Sequence, residues 1–115
     1  MGLMQDHPLM ISSLIEHAAD FHPDTEIVSR LPEGTVRRSN CAQIRDRSKQ
    51  VANALNQLGI RPGDLVGTLA WNSDRHLALY YGVSGSGAVL HIVNPRLFSH
   101  QISYIVNHAE DKALC

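Results

Sequence analysis

The chain has 115 residues, of which 43% are hydrophobic and 18% charged, so it has the length of one domain and the composition of a folded protein. A net charge of −1 with scattered lysines and arginines excludes the basic surface that nucleic acid requires. No apolar run approaches the ~20 residues that span a bilayer, and Asp6 and His7 in place of a basic region argue against a secretory signal. Cys41 and Cys115 lie far apart without a disulfide framework, which indicates reduced thiols and a cytoplasmic protein.

The amino-terminal third predicts one helix and a small hairpin. Apolar residues repeat at helical spacing over residues 8–20. After a break that contains Pro23, residues 25–30 and 35–38 predict two short strands joined by a turn at residues 32–34.

A long helix is predicted to follow, from an N-cap at Asn40 to Leu58. Gln43 stands three positions after Asn40, as in a capping box, and Gly59 suits the left-handed position that ends a helix. The stripe that predicts the buried face of this helix consists of Ile44, Ser48, Val51, Leu55 and Leu58.

Residues 59–93 predict a strand, a helix and a second strand. The two strand segments, residues 65–70 and 88–93, are apolar throughout, as expected of strands covered on both faces. Asn72 and the two residues after it supply oxygen-bearing side chains for a helix start, and residues 84–87 stop that helix. Strand, helix and strand at this spacing predict a βαβ unit with parallel strands.

The last part of the chain predicts one more helix and a final strand. Ser99 is the expected cap of the helix, and the strand begins at Lys112. The apolar stripe of this helix consists of Ile102, Ile105, Val106 and Ala109. The predicted fold class is therefore α/β, with βαβα units, parallel strands and an N-terminal hairpin in a single unit over residues 1–115. Because such a series seldom ends on an uncovered strand, we expect the unit to be truncated at its C-terminal end.

The sequence lacks the common signatures of phosphate, metal and hydrolase sites. It contains no GxxxxGK[ST], GxGxxG, HExxH or GxSxG motif. Gly82, Gly85 and Gly87 follow a helix and precede a strand, the reverse of the dinucleotide fingerprint, and therefore predict a helix stop with close packing. The seven histidines show no ligand spacing. No catalytic, cofactor-binding or metal-ligating residue is assigned.

Two short segments are placed where a ligand could bind. Trp71 and Asn72 follow the first parallel strand, and Asn94, Pro95 and Arg96 follow the second. Open α/β sheets bind ligands at the carboxyl ends of their strands. A structural interpretation is favoured, in which Asn72 caps a helix, Trp71 covers the sheet edge and Asn94 and Pro95 form a turn, because capping alone explains these residue types.

Several motifs together resemble one enzyme family. They are VANAL at 51–55, LGIRPGD at 58–64, AWN at 70–72, RH at 75–76, YYGV at 80–83, GAVLH at 87–91, NPRLF at 94–98 and YIVNHAED at 104–111. Through them residues 8–114 resemble the N-terminal part of an AMP-forming acyl-CoA synthetase, in the medium- and long-chain fatty acid–CoA ligase branch. LGIRPGD is common among adenylate-forming enzymes, whereas residues 71–83 and 87–98 are closer to the fatty acyl branch. Asn40 and Cys41 depart from the Thr-Tyr of the family.

The resemblance implies a two-step reaction with ATP, coenzyme A, Mg²⁺ and a fatty acid carboxylate. The phosphate loop, the acyl-adenylate motifs and the catalytic lysine of the family lie downstream of these residues and match no position here. We therefore expect the 115 residues to be inactive alone. Two alternatives stay open: a non-catalytic interaction or dimerisation module, and an adenylating enzyme for another carboxylate, such as an aryl or sulfur-containing acid. A homodimer also stays open.

Overall fold

The computed structural model describes residues 2, 4 and 6–115, and within them four helices and five strands form an α/β fold. In chain order the elements are α1 (Ile11–Phe21), β1 (Glu26–Arg30), β2 (Val36–Asn40), α2 (Cys41–Gln57), β3 (Leu65–Leu69), α3 (Asp74–Gly85), β4 (Val89–Val93), α4 (Ser99–Ala109) and β5 (Ala113–Leu114). The predicted fold class is confirmed. In the described part of the chain, no helix combines the length and the hydrophobicity needed to cross a membrane.

The predicted hairpin is present as an antiparallel pair. β1 and β2 pair from Glu26 opposite Asn40 to Arg30 opposite Val36, so β2 runs two residues further than predicted. Successive side chains of a strand point to opposite faces. The valines at positions 28 and 36 accordingly point outward, whereas Ser29 is buried on the inner face.

The βαβ unit is confirmed, and its strands belong to a parallel sheet with the order β4-β3-β5. Val66 of β3 is opposite Leu90 of β4 on one side and Ala113 of β5 on the other. The final strand is therefore present, but it comprises two residues rather than the four predicted.

The expectation that both strands of the unit are covered on both faces is wrong for β4. Val89 and Ile92 are 47% and 53% exposed, whereas Val66 and Thr68 of β3 are fully buried. β3 is the middle strand and lies under the helices, but β4 is at the edge of the sheet. The apolar sequence of β4 thus correctly indicates a parallel strand without showing that it is buried.

The core lies between the sheet and the pair α2 and α3. Leu55, Val66, Val83 and Ala88 form its buried cluster. α3 comes so close to α2 at Gly82 that a Cβ there would lie 2.7 Å from the Ser48 carbonyl oxygen. The predicted close packing of this glycine is confirmed.

The ends of α2 follow the sequence signals, with one exception. The Oδ1 atom of Asn40 accepts a hydrogen bond from the Gln43 backbone N–H at 2.9 Å, and Gly59 has φ +83°. Leu58, which was predicted to be buried, is 75% exposed. The helix ends at Gln57, and the turn that begins there directs Leu58 away from the core.

The predicted caps of the two following helices are each wrong by one residue. α3 is capped by Ser73 rather than Asn72, because the Ser73 hydroxyl accepts from the His76 backbone N–H at 3.4 Å. In α4 the N-cap is Phe98, and Ser99 is already helical. The side-chain carbonyl of the third helical residue, Gln101, accepts from the Phe98 backbone N–H at 3.1 Å.

Candidate functional site

A cleft of about 800 Å³ lies at the carboxyl ends of β3 and β4. The two segments singled out in the sequence both line it: Trp71 and Asn72 after β3, and residues 94–96 after β4. The hairpin adds Arg30, and α3 adds His76. This is the position at which open parallel sheets bind their ligands, and the volume is in the range of small-molecule sites.

One wall of the cleft is formed by an arginine held over an indole ring. The guanidinium carbon of Arg96 lies 5.1 Å from the centroid of the Trp71 ring, within the range of a cation–π interaction. The Asn94 side chain fixes the loop, since its Oδ1 accepts a hydrogen bond from the Arg96 backbone N–H at 2.9 Å. Trp71 is 45% exposed. Its ring provides the face over which the Arg96 guanidinium lies at this wall of the cleft.

The cleft is positively charged. Arg30 and Arg96 both line it, and the described lining residues include no carboxylate. Arg30 was missed in the sequence because it ends a hairpin strand, and nothing in the local pattern places that hairpin beside the parallel sheet.

A buried polar pair that includes His76 of the cleft lining joins the sheet to α3. The Nε2 atom of His76 lies 3.2 Å from Oγ1 of Thr68, and both residues are buried. This contact fixes the imidazole ring of a cleft-lining residue against β3. Thr68 was also missed, because a single threonine within an apolar run predicts only a strand.

A buried carboxylate lies behind the cleft, at the start of α3. Asp74 is 1% exposed, and its Oδ2 atom accepts from Arg47 of α2 at 2.8 Å and lies 3.2 Å from a guanidinium nitrogen of Arg37 of β2. Its Oδ1 atom is buried without a hydrogen-bond partner in the described part of the chain. We call Arg37, Arg47 and Asp74 the Asp74 cluster.

A second polar pair lies on the sheet away from the cleft. The Nδ1 atom of His91 is 2.9 Å from one carboxyl oxygen of Asp111 and 3.0 Å from the other. No group of three or more histidine, cysteine or acidic residues within 2, 4 and 6–115 has the arrangement of a metal site.

Gly82, Gly85 and Gly87, which could suggest a phosphate-binding loop, lie at the amino ends of the parallel strands, opposite the cleft. Gly82 and Gly85 belong to α3, which ends at Gly85, and Gly87 precedes β4. A crossover helix between parallel strands ends at their amino ends, and the cleft is at their carboxyl ends. Gly87 has φ +83° and packs near Pro62, so its role here is to end α3 and turn the chain.

The two groups with a displaced pKa also lie outside the cleft lining. Burial raises the pKa of the Tyr81 hydroxyl, and the neighbouring Tyr80 and Cys41 raise it further. Burial likewise raises the pKa of the Cys115 thiol. The cleft thus has the charge of a binding site, and neither of these groups supplies it with an acid or a base.

Residues 15–115 match the family described as AMP-binding enzyme. The chain is 52% identical over 114 residues to 3-methylmercaptopropionyl-CoA ligase of Ruegeria lacuscaerulensis, covering 99% of this chain and 21% of that protein. It is 47% identical over 114 residues to the medium-chain-fatty-acid–CoA ligase of Ectopseudomonas oleovorans, again covering 99% of this chain and 21% of that protein. The chain therefore spans about a fifth of the length of these relatives.

The fold is shared with the N-terminal domain of FACL13 from Mycobacterium tuberculosis, solved with an inhibitor bound. The two structures superpose with a TM-score of 0.81 at 28% sequence identity, covering 91% of this chain and 26% of that one. The likeness extends over the hairpin and the parallel sheet together, since it includes nearly all of the chain.

Proposed function

Because the chain belongs to the AMP-binding enzyme family, we propose that it is the amino-terminal part of an ATP-dependent fatty acid–CoA ligase. The observation that carries the proposal is the family match over residues 15–115. The 47% identity to a medium-chain-fatty-acid–CoA ligase supports fatty acids as the substrate class.

In the proposed reaction a carboxylate oxygen attacks the α-phosphorus of ATP. The bond to the bridging oxygen breaks, and an acyl-adenylate and pyrophosphate form. The thiol of coenzyme A then attacks the acyl carbon and releases AMP as the acyl-CoA forms. We assign neither of these bond-making steps to residues 1–115. The contribution proposed for this segment is substrate binding in the cleft.

The two arginines of the cleft suit a phosphate group better than the fatty acid carboxylate. A single guanidinium fork satisfies a carboxylate, whereas a phosphate carries up to two charges and offers oxygens in several directions. Arg30 and Arg96 reach the cleft from different elements, one from the hairpin and one from the loop after β4. We therefore propose that the phosphate of ATP or of coenzyme A binds between them.

The described residues do not fit a magnesium ion. Mg²⁺ prefers carboxylate and water oxygens in an octahedral arrangement. The described lining of the cleft contains no acidic group, and the buried Asp74 and Asp111 carboxylates outside it are both paired with basic side chains. We derive no step of the reaction through a metal at these residues.

A chimeric enzyme tests the proposal. Residues 1–115 replace the matching segment of the Ectopseudomonas oleovorans ligase, and formation of acyl-CoA from octanoate, ATP and coenzyme A is measured. We expect the chimera to retain activity within about tenfold of the intact ligase, because a segment of this identity preserves the fold. A folded chimera without activity contradicts the proposal. The 115-residue chain alone is the negative control.

The second candidate is a ligase for a short sulfur-containing acid. It is favoured by the 52% and 51% identities to two 3-methylmercaptopropionyl-CoA ligases. A second chimera with the remainder of the Ruegeria lacuscaerulensis enzyme tests it. Higher kcat/KM in that chimera than in the first, each relative to its own intact parent, favours this candidate; the reverse order favours fatty acids.

A further inference from the structure

We propose that Asp74 is a positioning residue that holds the hairpin in place and thereby sets the position of Arg30 in the cleft. The inference rests on the proposed function, because it concerns the same phosphate-binding cleft. The Asp74 cluster would not contact the phosphate itself; its role would be to hold Arg30 where the phosphate binds.

Neither strand of the hairpin carries an apolar side chain that is fully buried. Val28 and Val36 point to solvent, and two of the residues buried along its strands, Ser29 and Ser39, are serines. A two-stranded hairpin is marginally stable by itself and needs packing against another element. Leu31, just after β1, supplies a buried apolar anchor. Polar contacts must therefore fix much of its orientation.

The Asp74 cluster attaches to the hairpin next to Arg30. Arg37 lies opposite Ser29 in the strand register, and its neighbour Val36 lies opposite Arg30. A displacement of Arg37 thus moves the backbone segment that carries Arg30. Arg47 makes the other contact to the same carboxylate oxygen, but it belongs to α2.

Positioning explains the burial of Asp74 better than stability does. Taking a carboxylate out of water is costly, and buried ion pairs often contribute little net stability. Asp74 is 1% exposed and has one carboxyl oxygen without a partner within residues 2, 4 and 6–115, which adds to that cost. The ion pair between Asp74 of α3 and Arg37 of β2 instead defines the placement of the hairpin relative to α3.

The two arginines of the cluster form a matched pair of variants. Each loses one contact to Asp74 on substitution by glutamine, but only Arg37→Gln releases the hairpin. In the chimeric ligase we expect Arg37→Gln to raise KM for ATP or for coenzyme A by about tenfold with kcat within about twofold, as loss of a charge-assisted contact does. Arg47→Gln should leave both KM values unchanged. Equal KM shifts in the two variants overturn the proposal.

A double-mutant cycle distinguishes positioning from general destabilisation. If Arg37 acts through Arg30, then Arg37→Gln adds little to the KM of an Arg30→Gln enzyme. Independent, multiplicative effects of the two substitutions contradict the inference. If only ATP or only coenzyme A shows the KM change, that substrate is the one bound by Arg30.

Hydrogen exchange on the folded chimeric ligase gives a readout that does not depend on activity. Backbone amides of residues 26–40 should exchange at least about tenfold faster in Arg37→Gln than in Arg47→Gln, because only the former frees the hairpin. Equal exchange in the two variants overturns the inference. An inactive chimera refutes the proposed function, and hydrogen exchange then decides the inference by itself.

Discussion

Gly67 of β3 and Asp111 before β5 approach so closely that a side chain at position 67 has no room. A Cβ atom there would lie 2.7 Å from Oδ2 of Asp111 and 2.8 Å from Cδ1 of Leu114. The glycine thus lets the Asp111 carboxyl group lie under the sheet, where it binds His91 of the neighbouring strand. This relationship links β3, β4 and β5 through one buried group.

We expect Gly67→Ala to destabilise the chain by about 1–3 kcal/mol, as overpacking in a core does. Gly85→Ala is the matched control, because its Cβ would meet only Ser12 at an ordinary 3.5 Å. The control should be neutral or slightly stabilising, since alanine favours a helix over glycine. Urea denaturation with a fixed m value measures both variants. A smaller loss at Gly67 than at Gly85 would show that the sheet can adjust.

Substitution of His91 and substitution of Asp111 should destabilise the chain to different extents. The Asp111 side chain is 0% exposed, so His91→Leu leaves a buried carboxylate without its partner and should cost about 3–5 kcal/mol. Asp111→Asn removes the charge but keeps an oxygen that can accept from His91, and should cost less, about 1–3 kcal/mol. Denaturation curves of both variants decide the order. A larger loss for Asp111→Asn would contradict this account of the pair.

The structure supports a ranking of two positions in α2. Leu55 belongs to the buried cluster, so Leu55→Ala should cost about 2–5 kcal/mol. Asn40 caps the helix with one hydrogen bond, and Asn40→Ala should cost about 0.5–2 kcal/mol. Chemical denaturation tests the order, and the reverse order would be incompatible with the observed packing of α2.

Local signals in the sequence were sufficient for the elements themselves. Asn40 marks the start of α2 through capping, and Gly59 marks its end through a left-handed turn. The apolar run after residue 64 indicates β3. Each of these signals depends only on residues close together in the sequence. Trp71 and Arg96 each follow the carboxyl end of a parallel strand, so the sequence also predicted that they lie at the same end of the sheet.

The long-range contacts could not be predicted in the same way. Asp74 binds arginines that lie 37 and 27 positions earlier in the chain, and Arg30 reaches the cleft from a separate two-stranded sheet. Charged residues at such separations carry no periodic pattern, so the sequence shows the charges without showing the pairs. The exposure of β4 is likewise a property of its edge position in the sheet.

The corrected helix start predicts different effects for two adjacent residues. Ser73 caps α3, so Ser73→Ala should cost about 0.5–2 kcal/mol. Asn72 lines the cleft without capping the helix, so Asn72→Ala should change stability by less than about 0.5 kcal/mol. Thermal denaturation of the two variants measures the difference. Equal losses would indicate that Asn72 shares the capping role.

The contact between Arg96 and Trp71 gives a direct signal for ligand binding. The chain contains a single tryptophan, so indole fluorescence reports on the cleft wall alone. A phosphate group that binds Arg96 competes with the Trp71 ring for the guanidinium, and we expect saturable changes in emission as inorganic pyrophosphate is added.

Arg96→Gln should abolish this response. Arg75→Gln is the matched control, because Arg75 is exposed on α3 and does not line the cleft, and it removes the same charge. The control should keep the saturable response with a midpoint within about twofold of the unchanged chain, because an exposed charge that does not line the cleft is screened by salt. If both variants lose the response equally, the signal reflects total charge rather than a phosphate bound at Arg96.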